Sequence, residues 1–181
     1  MADLSALSIE LNASRATCLA IIETPKGSRN KFDYDPDTGL FKLGGLLPEG
    51  MEFPFDFGFL PSTLGDDGDP LDVLVMMDAP AHVGCLLEIR LVGVIAAEQI
   101  EDGKKEANDR LLAVATHSYQ HQRIRSLADV SETLLSQLEA FFVSYSRQHG
   151  KKFRVTGTGG PKKALKFVKA GLRADRKRGA D

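Results

Sequence analysis

The chain has 181 residues, of which 43% are hydrophobic and 27% are charged, and its formal net charge is -2. This composition is typical of a globular protein large enough for one hydrophobic core, so we expect a single domain over residues 1–181. The small net charge argues against a general attraction to nucleic acid or an anionic membrane, and no apolar run approaches the roughly 20 residues of a transmembrane helix.

The first part of the chain predicts short strands that follow an N-terminal extension. Residues 1–13 are predicted to form a short helix. They lack the basic region and apolar core of a signal peptide, so we expect a cytoplasmic protein. Apolar runs and alternating patterns predict strands at 16–24, 31–35 and 39–43. Residues 44–72 follow neither the helical nor the strand period, and long irregular segments of this kind are usually functional.

The second part predicts further strands and then two helices. Strands are expected at 72–77, 86–97, 110–115 and 151–155. Ser131 is a typical N-cap and Gly150 a typical stop, which predicts a helix between them. A second, amphipathic helix is expected from Pro161, followed by a frayed basic tail over 173–181. Strands followed by helices indicate an α+β fold, most simply a small barrel with helices packed against it.

An acidic turn precedes the strand predicted at 72–77. Asp67 and Asp69 are two positions apart, and Asp72 follows after Pro70, which fixes a bend. Gly68 lets the backbone turn tightly between the first two acids. Converging carboxylates without His or Cys favour a hard cation such as Mg²⁺ or Mn²⁺. A solvated acidic turn without a metal fits the spacing equally well, because Asp and Gly are common turn residues.

The surrounding sequence resembles a known family. EFPFDFGFLPSTLGDDGDPLDVLV at 52–75 is similar to the signature region of the soluble family I inorganic pyrophosphatases. IIETPKGSRNKFDYDPDTGLF at 21–41 is similar to an earlier strand–turn region of that family, and the resemblance covers about residues 18–155. It implies a five-stranded OB-like barrel with flanking helices. It also implies hydrolysis of pyrophosphate to two phosphates by a metal-activated water, with Mg²⁺ as cofactor, Mn²⁺ as a substitute, and a homo-oligomer.

The resemblance also implies roles for individual side chains. Asp69 matches the catalytic residue that orients or deprotonates the attacking water. The residues that match metal ligands, or act through metal-bound water, are Glu23, Asp33, Asp67, Asp72, Asp102 and Asn108. The residues that match or replace substrate-binding side chains are Lys31, Lys42, Arg110 and Tyr145.

The sequence departs from the family pattern mainly where substrate would bind. Phe53 and Phe57 stand at positions of tyrosines, so two hydroxyl groups are missing. Gly44 falls near the position of a phosphate-binding arginine, which Lys42 would replace as a point charge. The remaining departures are Asn108 and Arg110, in place of Asp and Lys, and Ser146, in place of Lys.

These departures leave two hypotheses. The chain is either an active, divergent pyrophosphatase, or a related barrel with weak or redirected phosphoanhydride hydrolysis or with phosphate binding alone. The retained acids favour activity, because acids packed together without a metal are unfavourable. Nucleic-acid binding is a rival, since OB barrels often bind single strands, but here the aromatic residues adjoin acids that would repel phosphate. Cys18 and Cys85 are expected to be free thiols, and the four His residues show no zinc-site spacing.

Overall fold

The computed structural model describes residues 3–179, which form nine strands and two α-helices. The strands are β1 (Thr17–Thr24), β2 (Asn30–Asp35), β3 (Leu40–Leu46), β4 (Asp56–Phe59), β5 (Asp72–Met76), β6 (Leu86–Glu101), β7 (Lys104–Ala107), β8 (Arg110–Ala115) and β9 (Lys152–Gly159). The helices are α1 (Glu132–Gln148) and α2 (Pro161–Arg178), and short 3-10 turns occupy Leu4–Ala6 and Leu127–Asp129. Within this part of the chain, no helix is both long and apolar enough to cross a membrane.

Five strands close into a barrel. β1 pairs with β4, β4 with β5, β5 with β8, and β8 with β6. β6 also pairs with β1, which closes the ring, and the β5–β8 pair is the parallel one. β7 and β9 extend the sheet from β6, while β2 and β3 form a separate two-stranded sheet. The predicted α+β fold with a five-stranded OB-like barrel is therefore confirmed.

The two predicted helices are confirmed, and they cover two apolar clusters. Val73 of β5 lies in a cluster that includes Val168 of α2. The neighbouring Leu74 lies in a second cluster, with Leu138 and Phe142 of α1. Because successive side chains of a strand point to opposite faces, burying both faces fixes the register of β5.

Strand β4 lies inside the segment that the sequence predicted to be irregular. Gly58 pairs with Ile22 of β1, and a Cβ atom at Gly58 would lie 1.9 Å from the carbonyl oxygen of Ile21. Glycine therefore permits the close approach of β1 and β4. Asp56 accepts hydrogen bonds from the amides of Lys26 (2.8 Å) and Ala81 (3.1 Å), so its carboxylate is buried but satisfied. The sequence of β4, DFGF, contains a buried acid and a glycine, so it lacks the alternation of apolar and polar residues that predicts a strand.

The loop predicted between 97 and 110 is largely a hairpin. β6 continues to Glu101, and β7 returns along it from Lys104. Asp102 and Gly103 connect the strands with φ values of 49° and 79°, as a two-residue hairpin turn with positive φ requires.

Both ends of the chain differ from the sequence prediction. Among the described residues of the predicted N-terminal helix, 3–13, Leu4–Ala6 form a 3-10 turn, which the Asp3 side chain caps, and the others are not helical. α2 continues to Arg178 rather than fraying from 173, because basic residues in its last turn interact favourably with the helix dipole. Residues 1, 2, 180 and 181 lie outside the described part.

Candidate active site

A cavity of about 530 Å³ opens where β2, β4 and the start of β5 approach α1. This volume is in the range typical of small-molecule sites. The cavity brings together eight residues predicted from the sequence, namely Glu23, Lys31, Asp33, Asp67, Asp69, Asp72, Arg110 and Tyr145. They come from four strands, the acidic turn and α1, so the fold is needed to unite them.

The acidic turn is held by its own hydrogen bonds. The Gly65 amide donates to the Asp69 carbonyl (2.7 Å), and the Asp69 amide donates to Oδ1 of Asp67 (3.2 Å). Gly68 has a φ of 90°, which a glycine adopts without strain. Burial raises the pKa of the Asp69 carboxyl above its usual range, and the charge of Asp67 raises it further. This shift brings Asp69 closer to the range in which a carboxylate accepts protons effectively.

Glu23 and Lys31 form a second charged group in the cavity. Oε1 of Glu23 accepts a hydrogen bond from the Tyr34 amide (2.7 Å), and the residue is only 8% exposed. Burial raises the pKa of Glu23 to about 7, although the Tyr34 bond and the charge of Lys31 oppose the shift. Burial also lowers the pKa of the Lys31 ammonium, which forms an ion pair with Asp33.

Arg110 contacts both an acid and two aromatic rings of the cavity. Its Nη1 forms an ion pair with Asp72 and donates to the Asp109 carbonyl (3.3 Å). The guanidinium carbon lies 5.9 Å from the centre of the Phe57 ring and 5.4 Å from that of Phe142. Nε is buried and has no hydrogen-bond partner among the described residues. Burial raises the pKa of the Asp72 carboxyl, and Arg110 opposes this effect.

Tyr145 of α1 and four phenylalanines, Phe53, Phe57, Phe59 and Phe142, form the aromatic part of the cavity wall. Phe53 lies 5.6 Å from Phe57 and 6.1 Å from Tyr145, measured between ring centres. Burial raises the pKa of the Tyr145 hydroxyl above its usual value, so this group remains a hydrogen-bond donor at neutral pH. Phe53 and Phe57 are 2% and 5% exposed, respectively, and offer no hydroxyl to a ligand.

Asn108 borders a neighbouring cavity of about 300 Å³, which Asp67, Asp72 and Arg110 also line. Its amide nitrogen donates to Oε1 of Gln99 (2.7 Å), and its Oδ1 is buried without a partner among the described residues. An unpaired buried carbonyl oxygen is a suitable ligand for a hard cation. The sequence prediction missed Gln99, because a single amide in a strand carries no distinctive signal.

Two predicted residues are not brought to either cavity. Lys42 forms an ion pair with Asp35 on the β2–β3 sheet and is 63% exposed. Asp102 is exposed at the tip of the β6–β7 hairpin, because the extra residues of this loop form strands that carry it away. Asp102 therefore lies apart from the acids that line the two cavities, and its role as a metal ligand stays a prediction from the family resemblance. Gly44 lies against Asp33, where a Cβ atom would be 1.6 Å from Oδ2 of the acid.

Arg178 is a second residue that sequence reasoning missed. It lines the main cavity, and its Nη1 donates to the Gly68 carbonyl (3.3 Å) in the acidic turn. Its Nη2 contacts Asp175 (3.1 Å) one turn earlier in α2. The residue lies in the tail that the sequence predicted to be frayed, so no role was assigned to it.

The donor set fits Mg²⁺ chemically. Glu23, Asp67 and Asp72 supply oxygen ligands at the two cavities, and Asn108 adds an unpaired carbonyl oxygen. Among residues 3–179, no three acidic, imidazole or thiol side chains lie close enough to one another to bind a single ion. Asp72 is engaged by Arg110 instead. The oxygen donors therefore suit a hard cation, and Asp72 is shared between this donor set and Arg110.

The chain is similar to known proteins in both sequence and structure. Residues 20–175 match the family model described as "Pyrophosphatase: Inorganic pyrophosphatase". An inorganic pyrophosphatase of Thermus thermophilus is 36% identical over 173 residues, covering 94% of this chain and 96% of that protein. One of Leifsonia xyli subsp. xyli is 38% identical over 153 residues, covering 84% and 91%. The crystal structure of the Thermus thermophilus protein has a TM-score of 0.86 at 34% identity, over 97% of this chain and 99% of that one.

Proposed function

Because the chain belongs to the inorganic pyrophosphatase family and hydrolyses inorganic pyrophosphate to two phosphates, we propose that the 530 Å³ cavity is the active site and that it uses Mg²⁺, with Mn²⁺ as a substitute. One observation carries the proposal. Acids and cations face the same cavity, although their residues are far apart in the sequence: Glu23 is buried, Lys31, Asp72 and Arg110 are half-buried, and Asp67 and Asp69 are exposed to the cavity opening. Opposite charges in one cavity suit a ligand that is itself a highly charged anion bound together with a cation.

We assign the protein's own part of the reaction to a few side chains. Asp69 accepts a proton from the attacking water, whose oxygen forms a bond to one phosphorus while the bridging P–O bond breaks. Lys31 and Arg110 bind phosphate oxygens and offset their negative charge, and Tyr145 donates a hydrogen bond to a phosphate. Asp33 pairs with Lys31 and orients its ammonium group toward the cavity.

The proposed cation ligands are Asp67, Asp72, Glu23 and Asn108. When bound, Mg²⁺ would offset phosphate charge and lower the pKa of a coordinated water. We leave Lys42 and Asp102 out of the site, because both lie outside the two cavities. The missing hydroxyls at Phe53 and Phe57 are expected to weaken pyrophosphate binding more than the chemical step.

The direct test is phosphate release from pyrophosphate with Mg²⁺ or Mn²⁺. Asp69→Asn is expected to lower kcat by at least about a hundredfold, the effect of losing a general base. Asp37→Asn, which changes an exposed acid on the β2–β3 turn, is expected to stay within about twofold of the wild type. Chelation of divalent ions should abolish release, and Mg²⁺ should restore it.

Equal rates for the wild type and Asp69→Asn would exclude the role of Asp69 as general base. Failure of both metals to support release by the wild type would favour phosphate binding alone. Tripolyphosphate and ATP in the same assay test redirected phosphoanhydride hydrolysis, which requires one of them to be a better substrate than pyrophosphate.

We further propose that the protein is a homo-oligomer in the cytoplasm. Leu40, Leu43 and Leu46 of β3 are more than half exposed, which is unusual for large aliphatic side chains grouped on one short strand. Both cysteines are free thiols, as expected in a reducing compartment. Cell fractionation tests the location.

A further inference from the structure

Arg110 makes an incomplete set of contacts for a buried guanidinium. Nη1 contacts Asp72 and the Asp109 carbonyl, whereas the buried Nε has no partner among the described residues. The Phe57 and Phe142 rings lie 5.9 and 5.4 Å from the guanidinium carbon. Aromatic rings near a guanidinium stabilise its charge while its N–H groups stay available to anions. Arg110 is therefore held in the cavity with donors still free.

Asp72 lies between two possible cationic partners. It lines both cavities, and in the smaller one it is accompanied by Asp67 and by the unpaired Oδ1 of Asn108. These oxygens are the donors that a hard cation would use. Oδ2 of Asp72 is already engaged by Arg110, so a metal ion that uses this oxygen must bind against the ion pair.

From this arrangement we propose that Arg110 and a divalent metal ion compete for Asp72, and that a bound phosphate group relieves the competition by drawing the guanidinium away. The inference rests on the proposed function, since it uses the same metal and substrate sites. Phosphate oxygens can satisfy both Nε and Nη of one arginine, which Asp72 does not do here. Anion binding thus releases the Asp72 oxygens to the metal ion.

The competition makes metal binding and anion binding cooperative. A metal ion that uses Oδ2 of Asp72 without phosphate must displace the Arg110 guanidinium, whereas one that binds after phosphate finds this oxygen free. By thermodynamic linkage, the metal ion must in turn strengthen phosphate binding by the same factor. Arg110 consequently positions the metal ligand as well as the substrate, and it limits how much metal the protein holds between turnovers.

The test measures Mn²⁺ binding to the whole chain from the EPR signal of free Mn²⁺, with and without inorganic phosphate, and with a protein-free titration to correct for Mn²⁺–phosphate complexes. In the absence of phosphate, Arg110→Gln is expected to bind Mn²⁺ about fivefold or more tightly than the wild type. In the wild type, phosphate is expected to tighten Mn²⁺ binding by a larger factor than in Arg110→Gln. Arg110→Met, which keeps an unbranched side chain beside the rings, provides a second variant for the same comparison.

Two controls separate competition for Asp72 from a general change in charge. Lys31→Gln removes another cation from the same cavity, but the ion-pair partner of Lys31 is Asp33. Arg154→Gln breaks an arginine–carboxylate pair outside both cavities, with Glu98 (2.7 Å). We expect little tightening with Lys31→Gln and none with Arg154→Gln.

Three outcomes overturn the inference. The first is an Arg110→Gln protein that binds Mn²⁺ no more tightly than the wild type, and the second is equal tightening by Lys31→Gln. Either result leaves the proposed function standing, because the wild type still binds Mn²⁺. The third outcome, no Mn²⁺ binding to the wild type with or without phosphate, overturns the proposed metal site together with this inference.

Discussion

At the scale of single residues, the cavity combines fixed cations with phenylalanine side chains that lack polar groups. Lys31 Nζ and the Arg110 guanidinium each lie 5.9 Å from the centre of the Phe57 ring, so this ring stands beside both proposed phosphate-binding groups. A hydroxyl at this position would face the same ligand as the two cations.

Phe57→Tyr is therefore expected to lower the KM for pyrophosphate, while kcat stays within about twofold. One added hydrogen bond corresponds to roughly threefold to tenfold in KM. Steady-state phosphate release measures both constants. Phe55→Tyr is the matched control, because Phe55 is also buried but does not line the cavity. An unchanged KM with Phe57→Tyr would mean that the ring edge does not face the substrate.

A second residue-scale feature is the carboxylate of Asp78, which fixes the loop after β8. It accepts hydrogen bonds from the Ser118 hydroxyl (2.6 Å) and from the amides of Tyr119 (2.7 Å) and Gln120 (3.1 Å). These bonds, the Ser118 bond first, lower the pKa of Asp78 to about 2. His121 Nδ1 contacts the same Ser118 hydroxyl (3.1 Å), but that hydroxyl donates to Asp78, so the three residues form a structural cluster rather than a nucleophile–base pair.

Asp78→Asn is expected to reduce the free energy of unfolding at pH 7, and the difference from the wild type should shrink in acid. A carboxyl whose pKa is lower in the folded state stabilises the fold above its unfolded-state pKa, near 4, and loses this effect as the pH falls toward 2. Urea denaturation at pH 7, 5 and 3 measures the difference. A gap that stays constant or widens from pH 5 to pH 3 would contradict this role for Asp78.

Residue spacing and the family resemblance predicted most of the acids and cations that line the cavity, because those residues occur within short motifs, but they also included Lys42 and Asp102 and omitted Arg178. The motifs could not predict which side chains pair when folded. The Gln99–Asn108 hydrogen bond joins a strand to a loop nine positions later, and the ion pair between Arg110 and Asp72 joins two strands that are neighbours only in the barrel.

At the scale of elements, the end of α2 supports the acidic turn. Arg178 donates to the Gly68 carbonyl between the two acids that line the main cavity, and its charge lowers the pKa of Asp69, against the larger effect of burial. Residues 173–178, which the sequence predicted to be frayed, instead continue α2. The contact between Arg178 and Gly68 spans 110 positions, and local sequence patterns do not reveal contacts of this kind.

Arg178→Gln is expected to lower kcat/KM for pyrophosphate by about twofold to fivefold, with little change in thermal stability. The magnitude reflects the loss of one exposed hydrogen bond and of a screened charge. Arg176→Gln, which removes an exposed arginine from the same helical turn, should behave as the wild type does. Equal losses of activity for the two variants would point to general electrostatics rather than to the contact with Gly68.

The hairpin of β6 and β7 is the element that sequence reasoning placed least well. Strand β7 has the sequence KKEA with all four residues exposed, and a run of charged residues without an apolar face does not distinguish a strand from a loop. As a result, Asp102 lies at the exposed tip of this hairpin and outside both cavities.

At the scale of the whole molecule, the barrel followed from the order of short strands and the family resemblance, but the strand pairs that close it did not. Closure depends on β1 pairing with both β4 and β6, and β4 is a four-residue strand that contains a glycine and a buried acid. The glycine and the acid have roles that depend on contacts made only in the folded chain. Gly58 permits the close approach of β1, and Asp56 accepts hydrogen bonds from two backbone amides outside β4.

The outer surface of the molecule carries an apolar patch that the barrel does not cover. It includes Leu43 of β3, which shares its face of the strand with Phe41, and the exposed Val83 and Leu86 on either side of Gly84, where a Cβ atom would lie 3.2 Å from the Phe41 ring. Leu40 and Leu46 at the ends of β3 are also more than half exposed, and Leu40 lies on the opposite face from Leu43. Grouped aliphatic side chains of this size on a protein surface mark an interface between proteins. We propose a second copy of the chain as the partner, because the other exposed side chains do not present a comparable cluster of aliphatic residues among residues 3–179.

Leu43→Glu is accordingly expected to shift the protein to a smaller assembly, because it places a charge that must lose its hydration at the interface. Sedimentation velocity at several protein concentrations measures the assembly state. Val143→Glu is the matched control, since Val143 is an exposed aliphatic residue on α1, away from the patch, and should leave the state unchanged. A wild-type protein that sediments as a monomer, or a Leu43→Glu protein that keeps the wild-type size, would rule out this face as the interface.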